Sequence, residues 1–242
     1  MSSRSPLALA VAIALTTVAC SSGTTQKVEN TVTDSPAAIS AASANPFFAE
    51  SSLYFKLPAF DKINDSDFAP AFAQGMSQQL AEMAAIANAS AAPTFENTLV
   101  AMERTGGVLD RVSRVFFALT SANTNDTLEA IRSDIAPKLA AHNDAILLNG
   151  KLFQRIKAVY DQRETLQLDP ESLRLVEHYY RDFVRAGANL SDADKEQLKS
   201  YNAELASLQT TFSQNVLKEV NALAVVVDTR EELDGLTENA IA

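Results

Sequence analysis

The sequence predicts a mainly α, multi-helix protein, and three observations carry that prediction. From Phe68 onward, apolar residues recur every three or four positions over most of the chain. Only seven glycines are spread over 242 residues, and Asp169-Pro170 stands where a helix would start, because Asp caps free N–H groups and proline has none to lose. With 47% hydrophobic residues, the chain is also long enough to bury a substantial core.

Phe68, Phe72, Met76, Leu80, Met83 and Ala87 define a first helix after the turn region Asp61 to Asp67. Pro93-Thr94 stops that pattern, and Thr94 can cap a second helix with the stripe Leu99, Met102, Leu109, Val112, Phe116 and Leu119. This stripe crosses Gly106-Gly107, which marks a soft spot or a close approach by a neighbour. Asp126 with Glu129 resembles a capping box ahead of a third stripe, Leu128, Ile131, Ile135, Leu139, His142 and Ile146, with a kink expected at Pro137. A shorter helix from Lys151 to about Arg163 turns Leu152, Ile156 and Val159 inward. Leu173, Val176, Tyr180 and Phe183 stripe the helix that Asp169 begins, and Gly187 suits its end.

Ser191 opens the longest segment, where Leu198, Tyr201, Leu205, Leu208, Phe212 and Val216 are spaced as the packed seam of one arm of an antiparallel pair. The β-branched run Ala224 to Asp228 predicts one short strand near residues 224–228. Thr237 and Glu238 open another helical pattern that is cut after barely a turn, so truncation at the C-terminal end of the body is expected.

The front of the chain has a different character. Arg4 precedes a twelve-residue apolar run, Leu7 to Val18, and Ala19 stands directly before Cys20, the only cysteine. The pattern is that of an export signal over residues 1–19, its run shorter than the roughly 20 residues a membrane span needs. Thr17-Val18-Ala19-Cys20 resembles a bacterial lipobox apart from Thr17, which implies diacylation of Cys20. An ordinary signal peptide with an incidental thiol is the competing reading. Ser21 follows the cysteine where an inner-membrane retention signal would place aspartate, so the expected address is the periplasmic face of the outer membrane. Residues 20–45, rich in Ser, Thr and Ala, lack the surface to offset chain entropy and are expected to be a tether about 30 Å long on average.

Charge and motif content exclude several chemistries. Thirty acidic against twenty basic residues give a net charge of −10, the wrong sign for a protein that reads a phosphate backbone, so no nucleic-acid partner is expected. No Gly-rich phosphate loop, G-x-S-x-G elbow or HExxH zinc motif occurs. The two histidines are 36 positions apart. His142 sits on an apolar stripe as a core or boundary residue, and His178, beside Glu177, is read as solvated. Glu82, Glu129, Glu171 and Glu204 fall at helix starts or polar faces, and Arg104, Arg111 and Arg114 follow helical spacing as an outer face with acidic partners. No catalytic and no metal-binding residue is assigned within this chain, and lipidation at Cys20 is the one site assigned.

Five motifs in order carry a likeness: NPFF at Asn45 to Phe48, LPAFDKI at Leu57 to Ile63, PTFENTLVAMERTG at Pro93 to Gly106, RVSRVFFALTSANTND at Arg111 to Asp126, and RDFVRAGANLS at Arg181 to Ser191. Together they resemble the N-terminal part of the thimet-oligopeptidase-like zinc peptidases, the peptidyl-dipeptidase branch more than the oligopeptidase A branch. The resemblance covers essentially everything after the tether. It implies that residues 46–242 are the helical N-terminal lobe of a two-lobed, channel-containing enzyme that removes dipeptides from the C-termini of short peptides. It also implies zinc, held by HExxH and a later glutamate in a C-terminal catalytic lobe with no counterpart here, so this chain by itself is expected to be inactive. The expected partners are short peptides through the complete enzyme, the missing catalytic lobe, and a membrane through the lipid anchor. Two alternatives stand beside this reading: a portion of an oligopeptidase A-like endopeptidase, and a non-catalytic helical lipoprotein that serves as a binding module.

Overall fold

Helix α1 (Asp65–Ala87) forms because Asn64 and Asp67 close its first turn: the Asp67 carboxylate accepts from the Asn64 backbone N–H at 2.8 Å. The computed structural model describes residues 45–241; the expected signal segment, Cys20 and nearly all of the tether lie outside them. Asn45, where the tether was expected to end, is already fixed. It is buried, its amide donates to the Asp67 carbonyl at 2.9 Å, and its own oxygen accepts from the Phe47 N–H at 3.0 Å.

Helix α2 starts with a π-helical turn, Phe95–Val100, and continues through Ala101–Glu103. Thr94 caps it, its hydroxyl accepting from the Asn97 N–H at 3.1 Å. The sequence predicts one helix from here to Leu119, but the structure contains two, because Gly106 adopts a left-handed φ of 76° and α3 (Gly107–Ala122) starts afresh. A Cβ at Gly106 would lie 2.5 Å from Gln79 Nε2, so the close approach suggested by the double glycine is real.

Helix α4 (Asp126–Leu147) is capped by Asn125, which accepts from the Leu128 N–H at 2.9 Å; Asp126 lies one position too late to cap and falls in the first turn. Helix α4 continues through Pro137 without a break. Helices α5 (Gly150–Asp161) and α6 (Pro170–Arg185) start at Asn149 and Asp169. Gly187, with φ of 104°, ends the sixth. Ser191 caps α7 (Asp192–Ala222), and a final turn α8 spans Glu238–Ile241.

Helix α1 is the hub. It packs on α3, α4 and α5, while α6 covers α5 and α7 lies along α4. Two apolar clusters form along it. Phe68, Ala71 and Phe72 join Phe47, Val112, Val115, Phe116, Leu128 and Ile135. About three turns further on, Met83 and Ala87 join Leu99, Leu152, Phe153, Ile156, Val176 and Phe183. Between them Gly75 lets the backbones of α1 and α3 meet, since a Cβ there would sit 2.8 Å from Leu109 Cα. Phe116 is fully buried, its ring edge-on to Phe68 at 5.1 Å and to Phe72 at 5.2 Å.

Two expectations fail at the C-terminal end. No strand forms at residues 224–228, or anywhere among the described residues: a strand needs a neighbour to bond, and Val225 and Val226 are 88% and 74% exposed with none beside them. The seam predicted for α7 is also not the packed face. Tyr201 and Phe212 are 59% and 70% exposed, and the side facing α4 instead carries Asn202 and Gln214.

Phe116→Ala is expected to destabilise the chain by about 3–5 kcal/mol in urea unfolding, because it leaves a cavity between three rings. Val226→Asp should change stability by less than about 0.5 kcal/mol, as befits an unpaired, exposed position.

Candidate functional site

A polar layer crosses the waist between the two apolar clusters. His142, on α4, is buried, and its Nε2 lies 2.8 Å from Gln79 Oε1 on α1. The Gln79 amide nitrogen donates in turn to the Thr105 hydroxyl at 3.3 Å, and that hydroxyl donates to the Met102 carbonyl at 2.8 Å. This chain of donors leaves Gln79 Oε1 as an acceptor, so Nε2 carries the hydrogen. Nδ1 is then buried without a partner. Burial holds the imidazole below its ordinary value of 6.5, since a charged ring would be desolvated there. One turn along α1, Glu82 accepts from the Gly106 N–H at 2.8 Å and pins the break between α2 and α3.

His178 is exposed and pairs with Asp182 through Nδ1 at 2.6 Å, a surface contact within one helix. No group of three His, Cys, Asp or Glu side chains converges among the described residues. The donor set therefore does not fit zinc: His142 Nε2 is engaged with Gln79, and His178 lies on another helix with a single carboxylate. Of the carboxylates, Glu171 and Glu204 are exposed as read from the sequence. Glu82 and Glu129 are instead staples between elements, Glu129 accepting from Gln214 at 3.0 Å and from Thr124 at 2.6 Å. Arg114 has the expected acidic partner, Asp110, at 2.8 Å. Arg111 turns inward and donates to the Phe47 carbonyl at 3.1 Å, which fastens the N-terminal segment.

Arg155 carried no signal in the sequence reading. It is buried and grips the loop before α2, donating to the carbonyls of Ala89 and Ala91 at 3.1 and 3.0 Å and to Asn97 at 2.9 Å. A cleft of about 430 Å³ between α4 and α7 is lined by Asn125, Glu129, Ala130, Ser133, Gln214 and Leu217. Its central groups are bonded to one another: Gln214 bridges Glu129 and Ser133 across the seam, and the Thr124 hydroxyl donates to the Glu129 carboxylate at 2.6 Å. No helix among the described residues is long and apolar enough to cross a membrane. Among the described residues the most extended exposed apolar feature is the outer face of α7.

No family model matches the chain. Individual proteins do. It is 44% identical over 198 residues to the dipeptidyl carboxypeptidase of Escherichia coli, covering 82% of this chain and 29% of that protein. The dipeptidyl carboxypeptidase of Salmonella typhimurium is 45% identical over 195 residues, covering 81% of this chain and 29% of its own length. Escherichia coli oligopeptidase A is 22% identical over 188 residues, covering 78% and 28%. The chain belongs to this peptidase family. It spans about three tenths of the length of the curated relatives it matches.

Within that body His142 sets a pH dependence. An unfolded chain binds a proton at His142 near pH 6.5 while the folded chain resists it. Stability is therefore complete above about pH 6.5 and falls as the pH drops below that value. Urea unfolding at pH 7.5 and pH 5.0 should show this loss, and His142→Gln, which can still donate to Gln79, should reduce it. Equal losses in the two proteins would show that the imidazole is not responsible.

Proposed function

We propose that this chain is the N-terminal portion of a zinc peptidyl-dipeptidase that removes dipeptides from the C-termini of short peptides, and that it forms part of the wall of the channel through which peptides enter. The observation that carries the proposal is the contrast in identity: 44% and 45% to two dipeptidyl carboxypeptidases, against 22% to oligopeptidase A over a similar stretch. The share of the relatives' length that is matched, 29%, supports a role as one portion of a larger enzyme.

In this reading zinc and its water-activating glutamate belong to the remainder of the enzyme, and the residues here hold shape. The Phe68–Phe72–Phe116 cluster and the Gln79–His142 layer make a wall stiff enough to restrict what enters, while Arg155 and Arg111 tie down the loops at its edges. A rigid, narrow entrance selects unfolded, short peptides because a folded domain cannot be threaded through it. The sequence of residues 1–45 supports export, diacylation of Cys20 and residence at the periplasmic face of the outer membrane.

Three experiments check the reading. The intact polypeptide should release successive dipeptides from the free C-terminus of an N-acetylated hexapeptide; cleavage at internal bonds into larger pieces would favour an oligopeptidase A-like activity instead. This chain alone should bind no stoichiometric zinc and cleave no peptide, and one tightly held zinc per chain would overturn the division of labour. For the anchor, palmitate labelling in a bacterial host should be lost in Cys20→Ser; labelling that survives the substitution would remove Cys20 as the site.

A further inference from the structure

We infer that the outer face of α7, together with the loop at residues 53–60, is the docking surface for the remainder of the peptidase. This rests on the reading above and adds which surface makes the joint.

Helix α7 turns most of its large apolar residues away from the body. Tyr201, Leu205, Leu208, Phe212, Val216 and Val220 are all exposed, and at 1.5 Å per residue they make a stripe about 30 Å long. The opposite side meets α4 through polar contacts: Asn202 donates to Asp144 at 2.7 Å, and Gln214 to the Glu129 carbonyl at 3.0 Å. A helix that lies on its neighbour with small and polar residues, Asn202, Ala203, Ala206, Thr210 and Gln214, and turns its large apolar residues outward has the pattern of an element covered from both sides. Monomeric proteins seldom leave so large an apolar patch open to water. The patch continues beyond the helix through Leu223, Val225 and Val226.

A second apolar feature lies at the same end of the bundle. Tyr54 and Phe55 are each 79% exposed, and Leu53, Leu57 and Phe60 are more than half or nearly half exposed beside them. Phe55 and Lys56 hold left-handed φ values of 53° and 59°, a conformation that costs such residues free energy and that persists where surrounding contacts determine it. The loop runs into α1 at Asp65, whose carboxylate accepts from Asn125 at 2.9 Å, and Asn125 caps α4. The first turn of α4 in turn holds the C-terminal half of α7 through Glu129 and Gln214. Loop 53–60, the start of α4 and the C-terminal half of α7 therefore share one end.

The relatives supply the occupant: they extend over more than three times the matched length, so a partner of the required size exists in proteins of this kind. A second copy of this chain is disfavoured by charge, since residues 46–242 carry 28 acidic and 18 basic side chains and two such bodies repel.

The test is the pair Leu205→Glu and Phe212→Glu, introduced both in this chain alone and in the intact polypeptide. Both positions are exposed in this chain, so its own melting temperature should stay unchanged. The intact polypeptide should melt lower by about 10 °C and lose about tenfold or more of its dipeptide release. An intact polypeptide that tolerates the pair in both respects overturns the inference. So does a wild-type chain that sediments as a dimer which the pair dissociates, because the occupant is then a second copy. If melting falls but the intact polypeptide never releases dipeptides, the docking surface stands and the peptidase reading fails.

Discussion

The close contact between α1 and its neighbours at the waist governs the arrangement of everything else. Gly75 brings the α1 and α3 backbones together at a separation no side chain would allow, and Gly106 gives way to Gln79 one turn on. With those two positions fixed, Gln79 can reach both Thr105 and His142, and Glu82 can hold the Gly106 N–H. The waist is therefore a half-buried polar layer with an apolar cluster on either side. Buried polar groups cost free energy unless they are bonded, so this layer tolerates one register of α1 against α3 and α4 and few others. The unpartnered Nδ1 of His142 is the point at which that satisfaction is incomplete.

That rigidity gives the exposed face of α7 its meaning. A body whose two cores already close around α1 does not need Tyr201, Leu205 or Phe212 for its own stability, and they contribute nothing to either cluster. They are apolar residues set on a firm support and turned outward. Peptide hydrolysis in a confined channel needs walls that do not yield, and a wall must be joined to the part that carries the chemistry. On the proposed reading helix α7 is that joint, held in position from the inside by Asn202 and Gln214, which bond to α4.

Helix positions were legible wherever an apolar stripe coincided with the face that is buried. Phe68, Phe72, Met83, Ile135, Ile156, Val176 and Phe183 were read correctly for that reason, as were the caps at Thr94, Asp169 and Ser191. Periodicity states that residues share a face; it does not state what covers that face. The same rule therefore misplaced the packed side of α7, and β-branching at Val225–Val227 suggested a strand where the described residues offer no neighbouring strand to bond. The motifs carried the family, and the place of His142 in the stripe marked it as a core or boundary residue, which its burial bears out. Its partner Gln79 is 63 positions away and the anchor Arg155 bonds to main-chain carbonyls, so neither leaves a pattern in the sequence.

The central claim, that α7 is the joint of a larger peptidase, is tested most directly by hydroxyl-radical labelling of Tyr201 and Phe212 in this chain and in the intact polypeptide. Both rings stand open here, so both should label readily in the chain alone and be protected several-fold in the intact protein. Equal labelling of Tyr201 and Phe212 in the two would contradict the account.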